Sequence, residues 1–244
     1  MAEPRDRPVL GVLGGMGPLA GATFAGRLVA LTPAARDQDH IPVILRNDPR
    51  VPDRSSARLG QGEDPLEAML RGIRLLERAG ADLIAIPCNT AHLWFDQLAA
   101  QAKVPLLHII ESVCDDLERL GAGGCRVGLM GTAATLQLGL YRGPLQRRGF
   151  DVLETAPEDV RLCTQAIDAV KTNHPERALA PAAACIERLI ERGAQAVVLG
   201  CTELPLAVPH AGRRAFGVPL TDSIDALARA AIARCTMAAA PAEA

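Results

Sequence analysis

Aromatic side chains are nearly absent from this chain: four Phe, one Tyr and one Trp make up 2% of 244 residues. That scarcity argues against a nucleic-acid platform that stacks successive bases on rings. A charge bias is also missing. Twenty-six Lys and Arg against 28 Asp and Glu leave a net charge of -2, which gives no electrostatic footprint for nucleic acid or an anionic membrane surface. No run approaches the roughly 18 apolar residues of a membrane span. The polar stretch 1–7 lacks the apolar core of a signal peptide. The expected location is therefore cytoplasmic, where disulfides are disfavoured. Seven cysteines are present, but none stand as Cys-x-x-Cys, and no clustered set of four ligands suggests a structural zinc site. Only two lysines occur, one of them Lys171, and nothing around either supports a Schiff base. With 49% apolar and 22% charged residues, the composition is that of a globular protein with a full core.

What is present is a repetition. Gly80-Ala81-Asp82-Leu83-Ile84-Ala85-Ile86-Pro87-Cys88-Asn89-Thr90 is mirrored by Gly193-Ala194-Gln195-Ala196-Val197-Val198-Leu199-Gly200-Cys201-Thr202. In each, Gly-Ala opens an apolar strand, and a cysteine follows the glycine by eight residues. Upstream, Gly11-Val12-Leu13-Gly14 and Gly128-Leu129-Met130-Gly131 close two further strands. Gly11 lies 77 residues before Cys88, and Gly128 lies 73 before Cys201. The period is too long for a solenoid and points to duplicated α/β units. Two cysteines at matching strand ends suit chemistry that removes a proton from one face of a carbon and returns one to the other.

Short apolar strands are expected at 9–13, 42–46, 83–87, 106–109, 126–130, 151–153 and 196–199. Helical periodicity covers 18–31, 64–79, 90–101, 112–120, 135–148, 158–170, 176–191 and 221–237. Continuous apolar strands alternating with helices imply parallel sheets covered on both faces. Ligands in such folds bind beyond the carboxyl ends of the strands, where both cysteines and both Gly-x-x-Gly turns lie. The seam is placed after 106–109, with Ser112 capping the next helix. A second crossing is placed in 209–219. The expected units are 1–108 with 217–244, and 109–216. The stretch 238–244 reads as an uninformative tail.

Gly15-Met16-Gly17-Pro18-Leu19-Ala20 formally fits a dinucleotide fingerprint, but the acid that should follow about 20 positions on is Asp48, 33 residues from Gly15. The free N–H groups of this turn suit a carboxylate equally well. Cys88 is expected to open a helix, where the dipole favours a thiolate, with Asn89 and Thr90 as donors to a carboxylate or enolate oxygen. His92, four residues on, leaves a metal site or a Cys/His pair open; the plainer reading is a helix-surface or cleft-lining residue. Arg50 and Arg54, on the proline-stiffened loop after the second strand, suit bidentate carboxylate binding or simple solvation. Lys171 also fits a favourable charge at a helix C-terminus.

In this order, Gly14-Gly15-Met16-Gly17-Pro18, Thr32-Pro33-Ala34-Ala35-Arg36-Asp37-Gln38-Asp39-His40, Pro52-Asp53-Arg54, Pro87-Cys88-Asn89-Thr90-Ala91-His92 and Gly200-Cys201-Thr202-Glu203 resemble the aspartate/glutamate racemase family over nearly the whole chain, most nearly its cofactor-independent aspartate racemases. Some relatives replace the first cysteine by threonine; this chain keeps both. The resemblance implies two α/β domains related by pseudo-twofold symmetry, with the active site in the interdomain cleft. It implies Cys88 and Cys201 as the catalytic pair, with Met16, Asn89, Thr90 and Thr202 near the amino-acid head group. Arg54 and Lys171 match the family's carboxylate-binding cations. It further implies no cofactor and no metal, an acidic amino acid as partner, and a homodimer. Two other readings stay open: a maleate isomerase-like or decarboxylase-like cysteine enzyme on the same scaffold, and a non-catalytic two-lobed amino-acid sensor.

Overall fold

Strands buried on both faces must be apolar along their whole length, and in this chain they are. A computed structural model describes residues 7–237; the tail 238–244 lies outside the described residues. The first half carries β1 (Leu10–Gly14), α1 (Pro18–Leu31), β2 (Val43–Asn47), α2 (Arg54–Arg58), α3 (Leu66–Arg78), β3 (Leu83–Ala85), α4 (Phe95–Ala99) and β4 (Leu106–Leu107). There follow α5 (Ile109–Arg119), β5 (Arg126–Met130), α6 (Ala133–Gln137), α7 (Arg142–Arg147), β6 (Asp151–Glu154), α8 (Val160–Lys171), α9 (Leu179–Glu191), β7 (Ala196–Leu199), α10 (Leu204–Ala207), β8 (Leu220–Asp222) and α11 (Ser223–Met237).

All strand pairings are parallel, and the orders are β2-β1-β3-β4 and β6-β5-β7-β8. Adding four to each strand number converts one sheet into the other, so the duplication read from the sequence is a duplication of topology. The protein is α/β, with two parallel four-stranded sheets flanked by helices. Leu10, Val12 and Ala85 of the first sheet share one core with Val127, Leu129 and Val198 of the second, together with α5 and α11. Each sheet has a second apolar layer on its other face. One contains Met16 and Cys88, the other Cys201. Among the described residues no helix is long and apolar enough to cross a membrane.

Four local expectations are corrected. The helix expected from Ser112 starts at Ile109: His108 is its N-cap, accepting from the Glu111 N–H, and the Ser112 hydroxyl donates back to the His108 carbonyl. The helix expected over 135–148 is two helices, because Gly139 takes a φ of 62° between them. The helix expected over 90–101 begins as a 3-10 turn, Thr90–Trp94. There the His92 N–H bonds to the Asn89 carbonyl, while the Cys88 carbonyl, which an α-helix would give to that N–H, meets the His92 ring instead. Finally, 217–244 does not return whole to the first half. Leu220–Asp222 pairs with β7 as the edge of the second sheet, and α11 alone goes on to pack against α1. Thr221 and Asp222 are buried polar residues held by Asp116 and Arg213, which is why this strand has no apolar signature.

Candidate active site

The carboxyl ends of β1, β3 and β7 bound a cavity of 530 Å³. One wall comes from the first half: Gly15, Gly17, Pro18 and Leu19 after β1, and Pro49, Val51, Asp53 and Arg54 after β2. The other comes from the second half: Val170 and Lys171 at the end of α8, Asn173, and Glu203 before α10. Gly15 is required where it stands. Its φ is 93°, and a Cβ there would lie 2.1 Å from the Asp48 carbonyl oxygen. That contact sets the loop carrying Asp53 and Arg54 against the β1 turn.

Of the residues expected in the site, Arg54 and Lys171 line the cavity. Cys88, Cys201, Met16, Asn89, Thr90 and Thr202 are buried beneath it. Arg54 Nη1 donates to the carbonyls of Val51 and Pro52, and its buried Nε has no partner. A guanidinium anchored on one nitrogen with a donor left over suits a carboxylate. Asp53 caps α2 by accepting from the Ser56 N–H. Burial would raise its pKa, but that bond together with Arg54 and Lys171 holds it below the usual range.

Lys171 ties the two halves together electrostatically. Burial and Arg54 lower its pKa, whereas Cys201, Glu203 and Cys88 raise it, and the net direction is upward. A single ammonium therefore faces both strand-end cysteines. Cys201 is 5% exposed. Burial, then the Glu203 carboxylate, push its thiol well above the ordinary value against the opposing pull of Lys171. Its Sγ donates to Glu203 Oε2 at 3.0 Å, and Thr202 Oγ1 donates to the same oxygen at 3.2 Å. Thr202 thus serves Glu203 in this arrangement.

Around Cys88 the contacts differ from expectation. The Asn89 side-chain oxygen accepts from Tyr141 at 2.5 Å, and its amide donates to Ser223 Oγ at 2.8 Å. Asn89 is a strut between the halves, with one N–H left over. Thr90 Oγ1 lies 3.4 Å from both Thr132 and Thr135, across the seam. His92 is neither on a helix surface nor lining the cavity. It is 5% exposed, its Nδ1 donates to the Cys88 carbonyl at 2.9 Å, and its Nε2 accepts from the Ile109 N–H at 3.1 Å. Burial, then the neighbouring His108, push its pKa down to about 3, so the ring is neutral. With both nitrogens engaged it holds neither a metal nor the Cys88 thiol; it fixes the Cys88 backbone.

The dinucleotide reading also loses its acid, since Asp48 is bound by Arg46 and by Arg50. Arg50 is thereby spent on the surface, outside the cavity. His210, Asp222 and Asp225 bring possible ligand atoms within 4.8 Å of one another, but Arg213 and Arg27 already neutralise the two carboxylates. Sequence reasoning did not assign Glu203, Asp53 or Tyr141. For Glu203 the signal was present, a carboxylate two positions after the repeated cysteine; for Tyr141 there was none, because its partner is 52 residues away.

A family model described as Asp/Glu/hydantoin racemase matches residues 13–231. Among solved structures, the aspartate racemase of Picrophilus torridus superposes with a TM-score of 0.83 at 33% identity, covering 93% of this chain and 94% of that one. The broad-specificity amino-acid racemase RacX of Bacillus subtilis is 27% identical over 92% of this chain and 96% of its own length. A glutamate racemase of Koribacter versatilis is 28% identical over 93% of this chain and 74% of its own.

Proposed function

This chain belongs to the Asp/Glu/hydantoin racemase family, and from that premise we propose that it interconverts the enantiomers of aspartate without a cofactor, using Cys88 and Cys201 as opposed acid and base. The observation that carries the reading is the convergence on Lys171 of two cysteines from equivalent strand ends, β3 and β7. Binding alone requires no such pair. Two cations, Arg54 and Lys171, favour a substrate with two carboxylates, and the likeness to an aspartate racemase at 33% identity supports aspartate over glutamate.

Cys201, kept protonated by burial and Glu203, starts as the acid, and Cys88 starts as the thiolate base. The Cys88 sulfur takes the α-proton as the C–H bond breaks, and its electron pair moves into the α-carboxylate. Cys201 then delivers its proton to the opposite face of the carbon. The turn ends with Cys88 as thiol and Cys201 as thiolate, the starting state for the other enantiomer. The α-proton is a very weak acid, so fixed cations at the developing enolate and a cleft poor in water carry much of the barrier reduction.

The test is proton NMR of the protein with L-aspartate in deuterated water, without added cofactor, alongside chiral analysis. Loss of the α-proton signal together with appearance of D-aspartate is expected. Cys88→Ser and Cys201→Ser should each lower kcat by about 10²–10⁴-fold; near-normal racemisation by either variant refutes the pair. Exchange with glutamate alone reassigns the substrate. Binding without exchange of any amino acid makes the protein a sensor.

A further inference from the structure

Glu203 has no task in a mechanism that needs only two cysteines. It is 4% exposed and comes from the second half just before α10. Its Oε2 accepts from Cys201 Sγ at 3.0 Å and from Thr202 Oγ1 at 3.2 Å. Its Oε1 faces Gly17 of the first half, where a Cβ would approach to 3.1 Å. A side chain as large as alanine's at Gly17 would crowd that oxygen, so the β1 turn and Glu203 fit one another across the cleft. Glu203 also lines the cavity, so the same carboxylate touches both the sulfur and the space the substrate enters.

We propose that Glu203 is a positioning residue for Cys201: it holds the thiol proton in place before transfer and returns a proton to the sulfur afterwards. The proposal rests on the cysteine-pair reading. A thiolate and a carboxylate in contact repel one another, so the two groups titrate as a unit and keep one proton between them. When Cys201 protonates the substrate carbon, its S–H bond breaks, the electron pair stays on sulfur, and the new C–H bond forms. Water in the cleft then gives a proton to Glu203, which passes it to Cys201. The hydroxide left behind is neutralised by the proton that Cys88 releases. One proton has moved from Cys88 to Cys201 through solvent, with no change of oxidation state. The groups facing the pair from neighbouring elements are Lys171 at the end of α8, with Arg54 and Asp53 across the cavity, Cys88 beyond it, and Tyr141 before α7. Of these, Lys171 opposes Glu203 by favouring the Cys201 thiolate.

The experiment is a thiolate titration by ultraviolet absorbance. Cys88→Ser is compared with Cys88→Ser/Cys201→Ser, so that the difference isolates Cys201 from the other cysteines, and the comparison is repeated with Glu203→Gln in both. The Cys201 midpoint is expected to fall by at least one pH unit in Glu203→Gln, an increase of about tenfold in thiolate at a given pH. An unchanged or higher midpoint overturns the proposal. If circular dichroism shows that Glu203→Gln does not fold, two measurements decide. Glu203→Asp, with its carboxylate one methylene further from sulfur, must lower the midpoint by a smaller amount. With Glu203 intact the midpoint must lie above the roughly 8.5 of a free thiol; failure of either overturns the proposal. In the enzyme with both cysteines, Glu203→Gln is expected to lower kcat with KM unchanged, and a rise in KM alone overturns it. Normal racemisation by Cys201→Ser would instead sink the two-cysteine reading, while the titration would still report whether Glu203 holds the proton.

Discussion

The buried, neutral His92 makes the stability of this protein depend on pH in a way that can be calculated. In the folded state its pKa is near 3 because of burial and His108; in the unfolded chain it is about 6.5. Between those values the unfolded state binds a proton that the folded state refuses. Stability therefore rises with pH across this window and is lost as pH falls through it. At about 1.4 kcal/mol per unit, the whole window is worth on the order of 5 kcal/mol, and the part between pH about 7.5 and about 5 is worth about 2 kcal/mol. A protonated ring would also lose the acceptor at Nε2 that satisfies the Ile109 N–H, so the cost falls on the segment that fixes Cys88.

His108 and His210 are also shifted downward, chiefly by burial, and contribute in the same direction. The contribution of His92 is isolated by comparing wild type with His92→Gln, which keeps a donor and an acceptor but does not titrate. Urea unfolding of both proteins at the two pH values gives four free energies. The wild type is expected to lose about 2 kcal/mol more than His92→Gln on going to the lower pH, whatever their offset at the higher one. Equal losses would refute the burial argument and would mean that His92 gains its proton in the folded state as readily as in the unfolded chain.

Two substitutions test the framing of the cleft. Gly15→Ala introduces a side chain at a φ of 93° and 2.1 Å from the Asp48 carbonyl. The backbone term alone is about 1–2 kcal/mol, and Asp48 must also move. A loss above about 3 kcal/mol in urea unfolding is expected, with a raised KM because the Arg54 loop shifts; a loss below about 1 kcal/mol would contradict the geometry. Tyr141→Phe removes the 2.5 Å bond to Asn89 and leaves a buried amide oxygen unpaired. It should cost about 1–3 kcal/mol and reduce kcat, since Asn89 follows Cys88 directly; unchanged thermal unfolding and rate would show that the bond carries nothing.

The parts of this structure that were legible in the sequence are those in which a residue's environment is set by its own segment. A central parallel strand is apolar along its length wherever it occurs, which is why Ala196–Leu199, buried at every position, announces itself. The two cysteines were legible because duplication places them at equivalent strand ends. The residues that escaped are polar groups whose partners arrive from elsewhere in the chain. Thr221 and Asp222 form a strand because Asp116 and Arg213 pay their burial from outside the segment. His92 looks like a helix-surface residue until the Ile109 N–H, 17 positions away, meets its ring. That contact also explains why the segment after Cys88 is not an α-helix: the ring takes the Cys88 carbonyl that a helix would use. With only a 3-10 turn there, the macrodipole of a long helix is not available to Cys88. The cation facing both sulfurs is Lys171, delivered by the other half of the molecule. The charge that tunes this site therefore comes from domain juxtaposition, and a sequence read one segment at a time shows the sulfurs before it shows what controls them.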